Sequence, residues 1–307
     1  MTDLSALDAI RVSVNEETRL ALTISLAIMM FSVALTLKPA DFAFLGRRPK
    51  MFFGGVVTQV LLLPVMTLGL AHLIAPTPSI AFGMIVVASC PGGNVSNLMV
   101  LMARGNAAYS VSLTAASSAL AFIITPVSIL FWASLYPPTA ELIRTIEIET
   151  LPFILQTAAA LGLPLAIGMT LSVMAPNIAA RVQPVVYGIS IFILIALVVF
   201  GVAGNWGVLM AVGAIIVPVA MLHNASAFGL GAVAGRVLGV DPASRRALTF
   251  EIGIQNAGLG LIILLTQFPT LGGAAAVTAL WAVWHLFAGL GLAIAFRLRD
   301  RYSSMRV

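Results

Sequence analysis

An acidic side chain stands inside an otherwise apolar stretch: Glu251, in FEIGIQNAGL (250–259). A second apolar stretch is interrupted by CPGGNVSN (90–97), where a helix breaker is followed by amides and a hydroxyl. In the first stretch Gly253 and Gly258 flank Gln255 and Asn256, with Glu251 just ahead of them. Pro91 removes a backbone donor and clashes with the preceding turn, while Gly92 and Gly93 leave helical geometry cheaply. Both segments therefore read as helices broken near mid-length. The second half of each begins around Val95–Leu98 and Asn256–Leu259, and its positive end favours an anion. The first half of each ends in free carbonyls, which favour a cation. One site can then hold a small hard cation beside an organic anion.

The elements that position these groups are membrane helices. The chain has 307 residues, of which 60% are hydrophobic and 9% charged; its mean hydropathy is +1.07. Soluble domains carry about 25% charged residues, so this is a polytopic membrane protein. A bilayer core of ~30 Å needs about 20 apolar residues per helix. Nine segments meet that need, at 18–36, 51–74, 80–103, 108–133, 151–174, 185–203, 207–235, 247–268 and 274–296. An acid inside such a segment is costly and marks a functional site, which singles out Glu251.

Charge sets the orientation. Thirteen of the sixteen basic residues lie in gaps that alternate with the C-terminus, and seven of the eleven acids lie in the opposite gaps. The positive-inside rule then puts the N-terminus outside and the C-terminus in the cytoplasm of a cell membrane. The basic residues are topology signals, which excludes nucleic acid as a partner. Trp132, Tyr136 and Trp206 fall at the expected outer ends. The first sixteen residues lack the pattern of a signal peptide. With Cys90 the only cysteine, no internal disulfide can form. Antiparallel broken spans are also the mark of inverted-repeat transporters, with the site where the breaks meet. Nothing resembles an HExxH metal motif or a nucleophile context, so an enzyme is not expected.

At these residues the sequence resembles the bile acid:sodium symporter family. The resemblance is carried by LTLKPADF (35–42), Gln59, CPGGNVSNLM (90–99), ARGNAAYSVSLT (103–114), LHNASAFGLG (222–231), LTFEIGIQNAGLG (248–260) and AVWH (282–285). It implies an all-α fold of nine transmembrane helices in an inverted repeat of four and five, with two crossed discontinuous helices. After an N-terminal tail (1–17), a panel domain would hold 18–50 and 151–206. A core domain would hold 51–134 and 207–297, ahead of a cytoplasmic tail (298–307).

Two sodium sites are implied residue by residue. Ser96, Asn97, Ser110, Thr114 and Glu251 resemble the first. Gln59, Glu251, Gln255 and the carbonyls of Ile252 and Ile254 resemble the second. All donate oxygen, as a hard cation prefers. Ser110 and Thr114 are four apart and share a helix face. Asn256 and His285 match substrate-facing positions. Asn94 stands where bacterial relatives commonly have threonine, and Leu286 where they commonly have asparagine. His223 reads as a packing histidine. The implied activity is sodium-driven import of an organic anion by alternating access. Bile acids and sulfated steroids are moved by animal members, and bacterial and plant relatives point to pantoate-like or keto acid-like carboxylates. The implied partners are two sodium ions, the anion and membrane lipid, with no obligate protein partner. A proton-coupled carrier of the same fold and a non-transporting substrate sensor are the alternatives.

Overall fold

The computed structural model describes residues 16–204 and 206–304, so most of the expected N-terminal tail lies outside the described residues. The described residues form α1 (Glu16–Ala34), α2 (Pro49–Ile74), α3 (Pro78–Ala88), α4 (Val95–Met102), α5 (Ala107–Leu135) and α6 (Pro137–Thr145). They continue as α7 (Thr150–Met174), α8 (Pro176–Gly204), α9 (Trp206–Val237), α10 (Pro242–Gly253), α11 (Ala257–Gln267) and α12 (Gly272–Ser304). Short helical turns over Pro39–Phe42 and Ala43–Arg47 join α1 to α2. No strand occurs among the described residues.

Local chemistry sets the helix starts. Proline occupies the first turn of α2, α3, α6 and α10, where its missing N–H would have had no helical partner. Side chains cap others: the Asn106 carbonyl oxygen accepts from Tyr109 N at 3.1 Å, and that of Asn256 from Leu259 N at 3.1 Å. Asp241 Oδ1 accepts from Ala243 N and Ser244 N at 3.0 Å each. The Ser244 hydroxyl holds the Asp241 carboxyl below its ordinary value.

Among the described residues six helices are long and apolar enough to cross a membrane: α1, α2, α5, α7, α12 and the 213–237 part of α9. The expected spans at 80–103 and 247–268 are each split, into α3 with α4 and α10 with α11. Several boundaries differ from the sequence reading, among them the start of α8, at Pro176 where 185 was expected. The 134–150 gap contains α6, started by Pro137. The last helix runs past 296 to Ser304, where Asp300 accepts from Arg246 at 2.7 and 2.5 Å. Trp132, expected at an outer end, is buried at 8% exposure against Phe131. Tyr136 meets the His72 ring, and the Trp206 side chain lies outside those described.

Helices α1, α7 and α8 pack on one another, and α1 also lies against α11, as α7 does against α5. A core of Leu26, Phe82, Phe153, Leu161, Ile263 and Phe268 fills the space between them. A second cluster, with Phe52, Tyr109, Leu113, Phe228, Phe250 and Ile252, surrounds the two breaks. Ends that the charge count places on one side meet in space. Asn106 N donates to Ala243 O at 3.0 Å, and Arg246 Nη1 to Ala103 O at 2.7 Å. At the other end Ala274 N donates to Ser79 Oγ at 2.9 Å.

Candidate functional site

The two breaks cross. Gly92 and Gln255 form an antiparallel bridge. Gly93 N donates to Ile254 O at 3.0 Å, and Asn256 N to Pro91 O at 2.8 Å. An unpaired backbone group in lipid costs several kcal/mol, so irregular backbone survives at depth only where protein or water serves it. Here each break serves the other. Asn224 on α9 adds a third support, donating from Nδ2 to Gly253 O at 2.8 Å. Helices α4 and α11 start from this crossing and aim their N-termini at it, as the sequence predicts.

Glu251 is completely buried beside the crossing. Its Oε2 accepts from Ser96 Oγ at 2.8 Å and from Ser110 Oγ at 3.1 Å. Thr114 Oγ1 lies 2.8 Å from Oε1 and 3.0 Å from Oε2. It also lies 3.4 Å from Asn97 Oδ1 and 3.1 Å from the Ser110 carbonyl. A threonine hydroxyl has one proton, so it satisfies one of these four acceptors at a time. The remainder is an excess of oxygen lone pairs around a carboxylate, the arrangement a small cation would neutralise. All five residues expected at the first sodium site are thus brought together. Ser110 and Thr114 reach Glu251 from adjacent turns of α5.

The second set is also adjacent. Gln59 Nε2 donates to Gln255 Oε1 at 3.2 Å. Gln255 Nε2 donates to the carbonyls of Glu251, at 3.1 Å, and Ile252, at 2.9 Å. The Ile254 carbonyl is already taken by Gly93 N, which leaves it one free lone pair.

The substrate-side residues are less converged. Asn256 caps α11 with its carbonyl oxygen, and Asn94 precedes α4 without a capping bond. His285 Nδ1 donates to Trp281 O at 2.8 Å, and its ring stacks on Trp281 at 4.9 Å. No hydrogen bond among the described residues joins these three to Glu251. His223 lies 2.9 Å from Thr67 Oγ1, whose proton goes to Leu63 O, so the ring Nε2 donates. It packs α9 on α2, in keeping with a packing histidine.

Three features of the site escape the residue-type reading. A Cβ on Gly92 would overlap the Glu251 Oε1 oxygen. Gly92 is thus needed for close approach as well as for the break. Ser117 Oγ receives Gly92 N at 3.2 Å. Gln59 sits in a single wide turn, Thr58–Leu62, where Leu63 N reaches back to Thr58 O. Pro64 was the available signal: it clashes with the carbonyl four residues back and offers no N–H, which favours a widened turn.

Among the described residues no group of three His, Cys, Asp or Glu side chains converges on a metal position. One carboxylate among hydroxyls, amides and carbonyls fits a hard monovalent cation. A sequence profile described as the Sodium Bile acid symporter family matches residues 23–212. The chain belongs to that family. It is 33% identical over 272 residues to an uncharacterized sodium-dependent transporter of Bacillus subtilis (strain 168), covering 89% of this chain and 81% of that one. It is 31% identical over 275 residues to a probable chloroplastic sodium/metabolite cotransporter of Arabidopsis thaliana, covering 89% of this chain and 66% of the relative. With the ileal sodium/bile acid cotransporter of Homo sapiens it shares 26% over 255 residues, covering 80% of this chain and 69% of the human one. The family is one of sodium-dependent transporters and not of enzymes. This member is a multi-pass, all-helical membrane protein.

Proposed function

We propose that the chain is a symporter that carries an organic anion into the cell with sodium by alternating access. The convergence of Ser96, Ser110 and Thr114 hydroxyls on the buried Glu251 carries this reading. The first sodium would replace the shared proton contacts there, with Asn97 completing the shell. The second would lie between Glu251, Gln59, Gln255 and the carbonyls of Ile252 and Ile254. The anion, a carboxylate or bile acid-like steroid, would sit at the N-termini of α4 and α11, near Asn94, Asn256 and His285. Two sodium ions with a monoanion move one net positive charge inward, which 100 mV drives by about 2.3 kcal/mol.

Nine crossings follow if α8 and each split pair are added to the six long helices. The packing of α1, α7 and α8 supports a panel, and the bonded breaks support a core that moves as one piece. The contacts between like ends support one side for the basic gaps, hence an outer N-terminus and a cytoplasmic C-terminus.

The deciding experiment is thermal stability of the purified protein in NaCl against KCl, for wild type and Glu251→Gln. A ligand in hundredfold excess over its Kd stabilises by about 2.7 kcal/mol. A sodium-specific rise that Glu251→Gln abolishes is expected. Equal stability in both salts overturns sodium coupling at this site.

A further inference from the structure

The hydroxyls that surround Glu251 hang from one loop. Ser96 lies seven residues before Ala103 and Ser110 seven after it, about two helical turns in each direction. The 103–106 loop leaves α4 sharply. Arg104 takes a left-handed φ of 53°, where a side chain is strained. Arg104 N and Gly105 N turn back to Leu101 O, at 3.1 Å, and Val100 O, at 2.8 Å. The carbonyl of Ala103, a fully buried residue that ends α4, is served from another helix. Arg246 Nη1 on α10 donates to it at 2.7 Å. A buried carbonyl needs such a partner, and a cation suits the negative end of a helix.

The guanidinium is in turn oriented by α12. Its Nη1 and Nη2 donate to the two Asp300 oxygens at 2.7 and 2.5 Å, and its Cζ lies 5.0 Å from the Phe296 ring centroid. The two side chains are only 15% and 25% exposed. A covered, bidentate pair holds its geometry better than a surface ion pair. Asn106 fastens the same loop to α10, from N to Ala243 O at 3.0 Å and from Nδ2 to Ser244 Oγ at 2.9 Å. Arg246 stands five residues before Glu251 on α10. The helix that carries the acid and the loop that carries its hydroxyls are therefore joined on the basic side of the site. No hydrogen bond among the described residues runs from Arg246 or Asp300 to the Glu251 cluster itself.

We propose that Arg246, oriented by Asp300, is a positioning residue that clamps the 103–106 loop to α10 and so sets how tightly the Glu251 cluster holds its cation. The inference rests on the reading of a sodium site at Glu251. Releasing the loop frees α4 and α5 together, and with them Ser96, Ser110 and Thr114. A site whose support loosens loses affinity although its own ligands are intact.

Sodium is titrated against the purified full-length protein, with KCl holding ionic strength constant, and the sodium concentration at half-maximal thermal stabilisation is read. Arg246→Met should raise that midpoint about tenfold, in line with a lost charge-assisted hydrogen bond. By charge alone, removing a cation would favour sodium, so the direction of the change separates positioning from field. Asp300→Asn, which leaves the Ala103 contact but not its orientation, should raise it about threefold. Leu161→Ala, fully buried in the apolar core away from the loop, is the reference. It should lower the melting temperature and leave the midpoint unchanged. Amide exchange over 103–112 without sodium is the second readout, and Arg246→Met should quicken it where Leu161→Ala does not. An unchanged midpoint in Arg246→Met, or in Asp300→Asn where the methionine variant does not fold, makes the pair merely structural and overturns the proposal. A wild type indifferent to sodium defeats the sodium reading instead. The exchange comparison then decides the clamp by itself, and exchange over 103–112 no faster in Arg246→Met overturns it.

Discussion

The break between α3 and α4 is written in Pro91, Gly92 and Gly93, whereas that between α10 and α11 contains no proline. In the first, a proline followed by two glycines disfavours a continued helix locally, although α5 and α7 run on through Pro126 and Pro164. In the second, Ile254 to Asn256 leave the helix because partners elsewhere take up the released groups. Gly93 N takes the Ile254 carbonyl, Asn224 takes that of Gly253, and Pro91 O takes Asn256 N. The first break is local and the second is tertiary. Their shared point is Glu251, which belongs to the second but is surrounded by hydroxyls of α4 and α5. A rigid break can therefore template a conditional one, and the cation site forms where the two depend on each other.

That asymmetry can be broken at its centre first. Glu251→Gln should abolish sodium-specific stabilisation and reduce sodium-driven uptake at least ~100-fold, about 2.7 kcal/mol, in a proteoliposome flux assay. Gly92→Ala comes next. Its new methyl overlaps Oε1 and lies 3.3 Å from Gln59 Nε2, so the carboxylate must move. Sodium affinity should fall at least ~30-fold by titrated thermal shift, about 2 kcal/mol. The Gly93→Ala methyl meets nothing closer than Gln255 O at 3.2 Å and should cost less than tenfold in the same titration. If the two alanines act alike, close approach to Glu251 is not what Gly92 provides. Asn224→Ala probes the conditional break by leaving the Gly253 carbonyl unpaired. A loss of about 1–3 kcal/mol, with faster amide exchange across 251–258 than across 90–97, is expected. Equal protection of both breaks would contradict the local-versus-tertiary distinction. Smallest of all should be Pro91→Ala, under about 1 kcal/mol in thermal stability, since Gly92, Gly93 and the crossing bonds remain.

Much of the helix order was legible because it depends on apolar length and on Pro and Gly, which act locally. The split at 90–97 and the exceptional status of Glu251 belong to that class. The hydroxyl partners do not. The first half of α5 offers Ser110, Ser112, Thr114, Ser117 and Ser118, and no periodicity within it tells which face the acid. Family resemblance pointed to Ser110 and Thr114, and the packing of α5 against α10 brings them to Glu251. Ser112, two residues away, instead donates to the Asp41 carbonyl.

By itself the sequence determined a membrane protein, its helical segments, the side on which its positive charge gathers, and the one acid that lies at depth. Hydropathy and formal charge are properties of residues, and the bilayer reads them segment by segment. Tertiary structure alone decided that the two breaks bond to each other and that Gln59 rides a widened turn. It also decided that Gly92 is required for approach and that the Thr157 hydroxyl is buried without a partner. Each of these depends on which helix faces which, a choice made by packing between segments that lie far apart along the chain.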